Sequence, residues 1–496
     1  MNNIENLLNI KKQSEKGGGD SKIEAQHNLS KLTARERIGV LLDRGSFIET
    51  GSLVEKNGGG VITGYGTIDG RLVYVFSQDY TVEGGSINEA NSNKIVRIMN
   101  MAIKMGAPII QIFDSVGARI DSGMDALGAY GCIIRKNAEL SGVVPQIAVI
   151  AGACTGLAAV SAAMSDFTIM VEKSGELYIS SPERLSSKEV KYVDLDMYGD
   201  AIGTSKNGTA QLTAKDDKEA LEVVRRIMSY IPLNNLELSP VYSSEVLSVP
   251  ESRLDEIAKE ENYDIYEIVN LLGDKDSLLE INGNFRPEVL TGLVKINGLT
   301  VGVMASDKIE NNEGICIRAL DKLTKFVKLC SCFNIPILSL VDTKGFIVSL
   351  DEEKRGLALA VSKLIYALAE SKVPKLSLII GEAYGSAYIV LASKEAAFDV
   401  TFAWPGAKIA VSEPEALIMA LHKEEILQAN NPKAMEAEII KKYKAQITNP
   451  YIAAEKGYID DMILPSESRI RIFGVLDMLQ SKREIGYPKK HGSVLV

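Results

Sequence analysis

The segments best suited to chemistry are IAGACTGLAAV (residues 150–160) and IIGEAYGSAYIV (residues 379–390). In each, a β-rich apolar run enters a glycine-containing turn that opens a helix. Such a turn leaves the first helical N–H groups unpaired, at the positive end of the helix dipole. That is the architecture of an anion site or an oxyanion hole, and a glycine there lets a substrate oxygen reach the backbone. A single G-x-x-x-G turn reads more simply as strand-to-helix packing. Its recurrence at the equivalent place in both halves favours function, and two holes suit a reaction in which two carbonyl oxygens gain negative charge together. Imidazole chemistry has little to work with, because the chain holds only His27, His422 and His491. Asp114 and Asp342, at strand ends, could serve as paired carboxylate catalysts, but helix capping or turn hydrogen bonding is the expected role.

The elements that carry these turns are duplicated. VITGYGTIDGRLVYVFSQD (61–79) aligns with VLTGLVKINGLTVGVMASD (289–307), and APIIQIFDSVG (107–117) with IPILSLVDTKG (335–345), both displaced by 228 residues. VPQIAVIAGACTGLA (144–158) aligns with VPKLSLIIGEAYGSA (373–387) after one further residue. In each copy, β-branched runs alternate with helical stretches such as Asn91 to Lys104, the pattern of βαβ units. Two α/β halves are therefore expected, each with helices on a mostly parallel sheet. They should divide at 1–245 and 246–496, within a Ser- and Pro-rich stretch. Gly17 to Gly19 read as a flexible joint, and Lys31 to Leu42 as an amphipathic helix. GGGVITGYG (58–66) precedes a strand instead of following one, which argues against a dinucleotide loop.

Composition bounds the reading. With 496 residues, 46% hydrophobic and 24% charged, the chain is globular and has more than one core. A net charge of −10 argues against nucleic acid as the main partner. The five cysteines form no C-x-x-C pair and read as reduced core thiols, with no metal site. Residues 140–165 carry no charge, yet Pro145, Gly152 and Gly156 break them into strand and helix. Their second copy contains Lys375, Glu382 and Lys394, which does not suit lipid.

KLTARERIGVLLDRGSFIE, GYGTIDGRLVYVFSQDYTVEGGS, DSVGARIDSGMDALGAYG, SGVVPQI, AYGSAY and FAWPGAKIAV together resemble the biotin-dependent acyl-CoA carboxyltransferase family, over nearly the whole chain. This family includes propionyl-CoA carboxylase β subunits and methylmalonyl-CoA decarboxylase α subunits. The resemblance implies an α/β fold of tandem crotonase-like (ClpP/crotonase) ββα superhelix domains, with acyl-CoA on the first half and biotin on the second. It implies transfer of a carboxylate between carboxybiotin and the α-carbon of a short acyl-CoA. Propionyl-CoA and methylmalonyl-CoA are the favoured pair; acetyl-CoA and malonyl-CoA are the other. Carried over by motif, Gly156 and Leu157 hold the thioester oxygen, and Ser386 and Ala387 the ureido oxygen. Gly117, Ala118, Arg119, Gly385, Tyr388 and Ile389 are the associated binding residues. Where the family commonly has paired glycines this chain has Val116-Gly117, Gly156-Leu157 and Gly385-Ser386, and Lys344 stands for a proline. Leu157 should narrow the space over the thioester. Arg119 and the group Lys31, Arg35 and Arg37 would meet CoA phosphates or form a solvated face.

Further implications follow from the resemblance. Biotin arrives on a separate carrier protein, because Lys104, in a segment resembling a biotinylation motif, should end a helix. The expected partners are that carrier, a biotin carboxylase or a membrane decarboxylase subunit, and further copies of this chain in a hexamer built as a trimer of dimers, with sites shared between chains. No metal is expected in this subunit. The setting is cytoplasmic, peripheral to the membrane only through a partner subunit. The competing readings are a crotonase-like hydratase or hydrolase using one hole, and a non-catalytic scaffold paralogue.

Overall fold

The parallel runs read from the sequence become the centres of two sheets with the same strand path. A computed structural model describes residues 3–55, 58–181, 198–242, 249–307, 314–446, 448–486, 488–489 and 493. It separates into two units, Met1–Ser239 and Pro240–Val496. The expected division at 245/246 falls outside the described residues.

In the first unit the strands are β1 (Ile48–Thr50), β2 (Val61–Ile68), β3 (Arg71–Gln78), β4 (Ile109–Ser115), β5 (Gln146–Thr155), β6 (Phe167–Val171), β7 (Glu176–Tyr178) and β8 (Leu212–Ala214). Their order is β1-β2-β3-β4-β5-β6-β8, and β7 pairs with β5. In the second unit they are β9 (Leu279–Glu280), β10 (Val289–Ile296), β11 (Leu299–Ser306), β12 (Ile337–Thr343), β13 (Lys375–Tyr384), β14 (Val400–Ala403), β15 (Lys408–Ala410) and β16 (Asp461–Met462). Read from β9, that sheet repeats the path of the first, with β15 paired to β13. All seven residues of β4 and of β12 are buried, polar Gln111, Asp114, Ser115, Ser339, Asp342 and Thr343 included, as befits parallel strands covered on both faces.

The hairpins are set by two turns. Asp69-Gly70 and Asn297-Gly298 each put two successive residues at positive φ, 50° and 75° in one, 51° and 78° in the other. This is the type I′ geometry that matches strand twist. Asp43 accepts the N–H groups of Asp69 and Gly70, and Asp274 those of Asn297 and Gly298, so each turn is capped from outside.

Before the first sheet lie α1 (Asn3–Glu15), α2 (Asp20–Asn28) and α3 (Ala34–Leu41). The helix expected over Lys31 to Leu42 is thus shorter, because Thr33 and Glu36 form a capping box that fixes its start. Gly17 to Gly19 are not a loose joint. The N–H of Gly18 donates to Thr81 Oγ1 at 3.0 Å, and a Cβ there would stand 1.9 Å from the Thr81 carbonyl oxygen. α4 (Glu89–Met105) and α5 (Met124–Leu140) cover the sheet, and Lys104 lies in the last turn of α4. Each unit has its own apolar core, centred on residues such as Ile98, Ile109 and Ile150 in the first and Ile268, Leu338 and Leu378 in the second. Of the cysteines, Cys154, Cys316 and Cys330 are buried, whereas Cys132 is exposed and Cys332 half-buried, so only three are core thiols. Among the described residues no helix is long and apolar enough to cross a membrane.

Candidate active site

At the end of β4 the strand register slips around Asp114, and at the end of β12 it slips around Asp342. Both carboxylates turn into the protein, 0% and 2% exposed. Glycines on the next strand make the room: a Cβ on Gly152 would stand 2.0 Å from Asp114 Oδ1, and one on Gly381 2.2 Å from Asp342 Cγ. Asp114 accepts hydrogen bonds from Gln26 (2.8 Å), Lys31 (2.8 Å) and Arg37 (2.9 Å). Arg37 also donates to Asp217 and to the Ala151 carbonyl. Burial works against the Arg37 charge, but Asp114 and Asp217 together hold its pKa above the ordinary value. Asp342 accepts the Tyr263 hydroxyl and the Glu382 N–H.

The expected capping role for these aspartates is therefore corrected. Each is a buried acceptor that ties the preceding segment of its own unit to the root of the candidate hole. Arg37, 1% exposed, lies on no solvated face and is closed to a phosphate. Arg35 makes a two-pronged pair with Glu49. Lys31, 8% exposed, is committed to Asp114.

After the slip, Ser115 Oγ accepts the Gly117 N–H (3.0 Å), and Thr343 Oγ1 does the same for Gly345 (3.2 Å). Thr155, at the end of β5, donates its hydroxyl to the Val116 carbonyl at 2.9 Å. Gly117 is thereby held beside Thr155 and the turn at Gly156 (φ 61°), which opens α6 (Leu157–Ala163). Gly156 N–H is not available, because it donates to the Tyr178 carbonyl at 2.9 Å. Of the amides named from the motif, that of Gly156 is therefore taken, and the first-turn N–H groups of α6, beginning with Leu157 and Ala158, have no intrahelical acceptor. The half-buried Leu157 side chain packs against the first core. Ala118 bridges to Ile87, and the Arg119 guanidinium is held by Ser86 and Glu55. A cavity of about 530 Å³ lies beside this turn, lined by Lys31, Tyr80, Val116, Thr155, Glu176 and Tyr178 among others.

In the second unit, Gly385 (φ 54°) begins α12, the helix Gly385–Leu391 that follows α7 (Ala201–Lys206), α8 (Asp217–Met228), α9 (Ile265–Leu272), α10 (Ile317–Cys332) and α11 (Leu357–Glu370). Ser386 is exposed and the Ala387 methyl is buried, while both N–H groups lie in the first turn. Gly385, Ser386, Tyr388 and Ile389 line one cavity of about 660 Å³. Ile389 is 43% exposed into that space. Burial pushes the Tyr388 hydroxyl pKa up, so it stays protonated and donates to the Tyr458 carbonyl at 3.0 Å. Lys344 lies 3.8 Å from Glu413.

The motif reading missed the opposite wall of this cavity: Asn449, Ile452, Ala453, Lys456 and Tyr458, from α13 (Pro450–Glu455) and the turn after it. Its signal is a further duplicated block, DAIGTSKNG (200–208) against NPYIAAEKG (449–457), displaced by 249 residues.

The carboxyl transferase domain model matches residues 25–494. The carboxyltransferase subunit of propionyl-CoA carboxylase from Haloferax mediterranei is 39% identical over 510 residues, covering 99% of this chain and 98% of that protein. The α subunit of methylmalonyl-CoA decarboxylase from Propionigenium modestum is 37% identical over 508 residues, covering 99% and 98%. The crystal structure of the transcarboxylase 12S hexamer with methylmalonyl-CoA and methylmalonic acid bound has a TM-score of 0.95 at 36% identity, covering 99% of this chain and 97% of that one. The fold is the tandem crotonase-like carboxyltransferase fold, and the chain belongs to the carboxyl transferase domain family.

Proposed function

We propose that this chain is the subunit that moves a carboxylate between N-carboxylated biotin and the α-carbon of propionyl-CoA, in the direction of either a carboxylase or a decarboxylase. The observation that carries this reading is the duplicated turn. Each unit presents the first-turn N–H groups of a short helix, Leu157 and Ala158 among them in one, Ser386 and Ala387 among them in the other. The first pair receives the thioester oxygen as the α-carbon loses its proton, and the second receives the ureido oxygen. Each such donor lowers the barrier by about 2.7–4 kcal/mol, so the scarcity of histidine is no obstacle. Biotin supplies the carboxyl carrier: the bond from N1 to the carboxyl carbon breaks as that carbon bonds to the α-carbon, and the α-proton ends on N1.

The second cavity fits such a group. Ile409, Ile452 and Ala453 offer apolar walls to a fused ring, and the Ser386 turn offers donors to its oxygen. The amides of Ser386 and Ala387 do not depend on side chains, so the loss of the family's paired glycines leaves the donors in place.

The related hexamer supports an assembly of six copies with holes brought together between chains. A biotin carrier and a biotin carboxylase or membrane decarboxylase subunit complete the system, in the cytoplasm. The deciding experiment mixes the protein with methylmalonyl-CoA or malonyl-CoA and free biotin and follows loss of the acyl carboxylate. Biotin-dependent turnover is expected; none with any short malonyl thioester rejects the reading.

A further inference from the structure

The segment that walls the second cavity has a counterpart in the first unit, and the two carry their charged residues at different positions. α7 and α13 begin on Asp200 and Asn449, whose side chains accept the N–H groups of Gly203 and Tyr451. Each helix is followed by a glycine at positive φ, Gly208 at 83° and Gly457 at 73°. Beyond the glycine, Gln211 exchanges hydrogen bonds with the backbone of Thr168, and Asp460 does the same with Thr401. Within this common frame the residue before the glycine is Asn207 in the first unit and Lys456 in the second. Asn207 Oδ1 turns back to accept the Thr209 N–H at 2.9 Å. Lys456 instead lines the 660 Å³ cavity, as the one charged side chain among the described residues that do so.

Lys456 is also held in position without being used. Its neighbours Lys394 and Lys408 are paired with Asp460 and Glu382, whereas Lys456 has no acidic partner among the described residues. The turn that carries it is fixed by Lys456 N–H to Ile452 O (3.2 Å), Gly457 N–H to Ala454 O (2.9 Å) and Tyr458 N–H to Ala453 O (2.9 Å). The Tyr388 hydroxyl, on the same short helix as Ser386, binds the Tyr458 carbonyl and ties that turn to the hole. One frame thus brings the Ser386 turn and the exposed Lys456 to a cavity whose other walls are mainly apolar.

We infer that Lys456 is the specificity-determining residue of this cavity, pairing with the carboxylate of an N-carboxylated cyclic urea and discriminating against the uncharged urea. The inference rests on the carboxyl-transfer reading above. The amides match the ureido oxygen, which both forms share, and only the ammonium matches the charge that distinguishes them. A carboxylated ligand gives the exposed ammonium a counter-charge that the uncharged urea lacks, so selection acts through attraction to the one form.

Direct binding tests this with two probes: biotin amide, whose valeryl carboxyl is masked, and its N1-carboxymethyl derivative, a stable anion. The full-length wild-type protein should bind the anion about tenfold more tightly, as for a partly desolvated ion pair. In Lys456→Ala the preference should collapse to about onefold, with affinity for biotin amide changed less than about twofold; Lys456→Arg should keep the preference. In the methylmalonyl-CoA reaction with biotin amide as acceptor, Lys456→Ala should lower kcat about tenfold and leave the acceptor KM unchanged. Equal losses for both probes would make Lys456 a structural wall and overturn the inference, as would an unchanged preference. A defect seen only with biotin on its carrier protein would assign Lys456 to carrier docking and also overturn it. Wild-type protein that binds both probes equally overturns the inference alone, and wild-type protein that binds neither overturns the biotin reading with it.

Discussion

At the scale of single residues, duplication extends to groups whose side chains never reach a substrate. Lys94 and Lys322, 6% and 2% exposed, both point into carbonyl cages. Lys94 donates to Gly58 and Val61, Lys322 to Phe285, Arg286 and Val289, and Val61 and Val289 are themselves equivalent. Burial pulls both ammonium groups down to a pKa of about 8. An unfolded lysine keeps its proton to about pH 10.5, so between about 8 and 10.5 the unfolded chain binds more protons than the folded one. Folding stability from this source is therefore present above pH 10.5 and lost as pH falls through 8. Relative to a Lys94→Met variant, the wild type should gain up to about 3 kcal/mol between pH 8 and 10.5, read from urea midpoints across that range. A difference between the two that does not grow with pH would show that Lys94 keeps its charge in the folded protein.

At the scale of elements, the important unit is the strand, slip, turn and short helix, and its chemistry is carried by the main chain. Proline tests that without changing charge, because it removes one N–H and is tolerated in the first turn of a helix. Leu157→Pro and Ser386→Pro should each lower kcat about 10²–10³-fold with little change in melting temperature. Ser386→Ala retains the amide and should remain within about threefold of wild type. A proline variant with wild-type kcat would remove that amide from the mechanism. The same element explains why Asp114 and Asp342 are buried at the root of each hole. A carboxylate facing Gly152 or Gly381 anchors the slip that aims the turn, and an alanine at either glycine would drive a methyl into it.

At the scale of the molecule, two units with one strand path have diverged in what surrounds the hole. The first has a polar cavity floored by Lys31 and Glu176, and the second a larger, mainly apolar one with Lys456 at its edge. In the proposed function each cavity is half of a site, completed when copies assemble. Sedimentation should give a particle of six 53.8 kDa chains. Carboxyl transfer should fall with dilution into dissociated subunits; a fully active monomer would refute shared sites.

Much of this was legible in the sequence for a physical reason: backbone turns have strict residue requirements. Asp-Gly and Asn-Gly specify type I′ hairpins, glycines at 156 and 385 specify turns at positive φ, and the 228-residue displacement exposed the duplication through them. The fold class, the family and the position of both turns were therefore determined by sequence alone. Which N–H groups remain open was not, because the Tyr178 carbonyl that occupies Gly156 arrives from a strand 20 residues away, through sheet pairing. Nor was the burial of Arg37 against Asp114 and Asp217, or the arrival of Lys456 opposite Ser386, since both depend on segments 77 to 180 and 70 residues apart meeting in three dimensions. Local rules fix what a turn can offer; only the packed chain decides which of its hydrogens are already taken and which charge faces them.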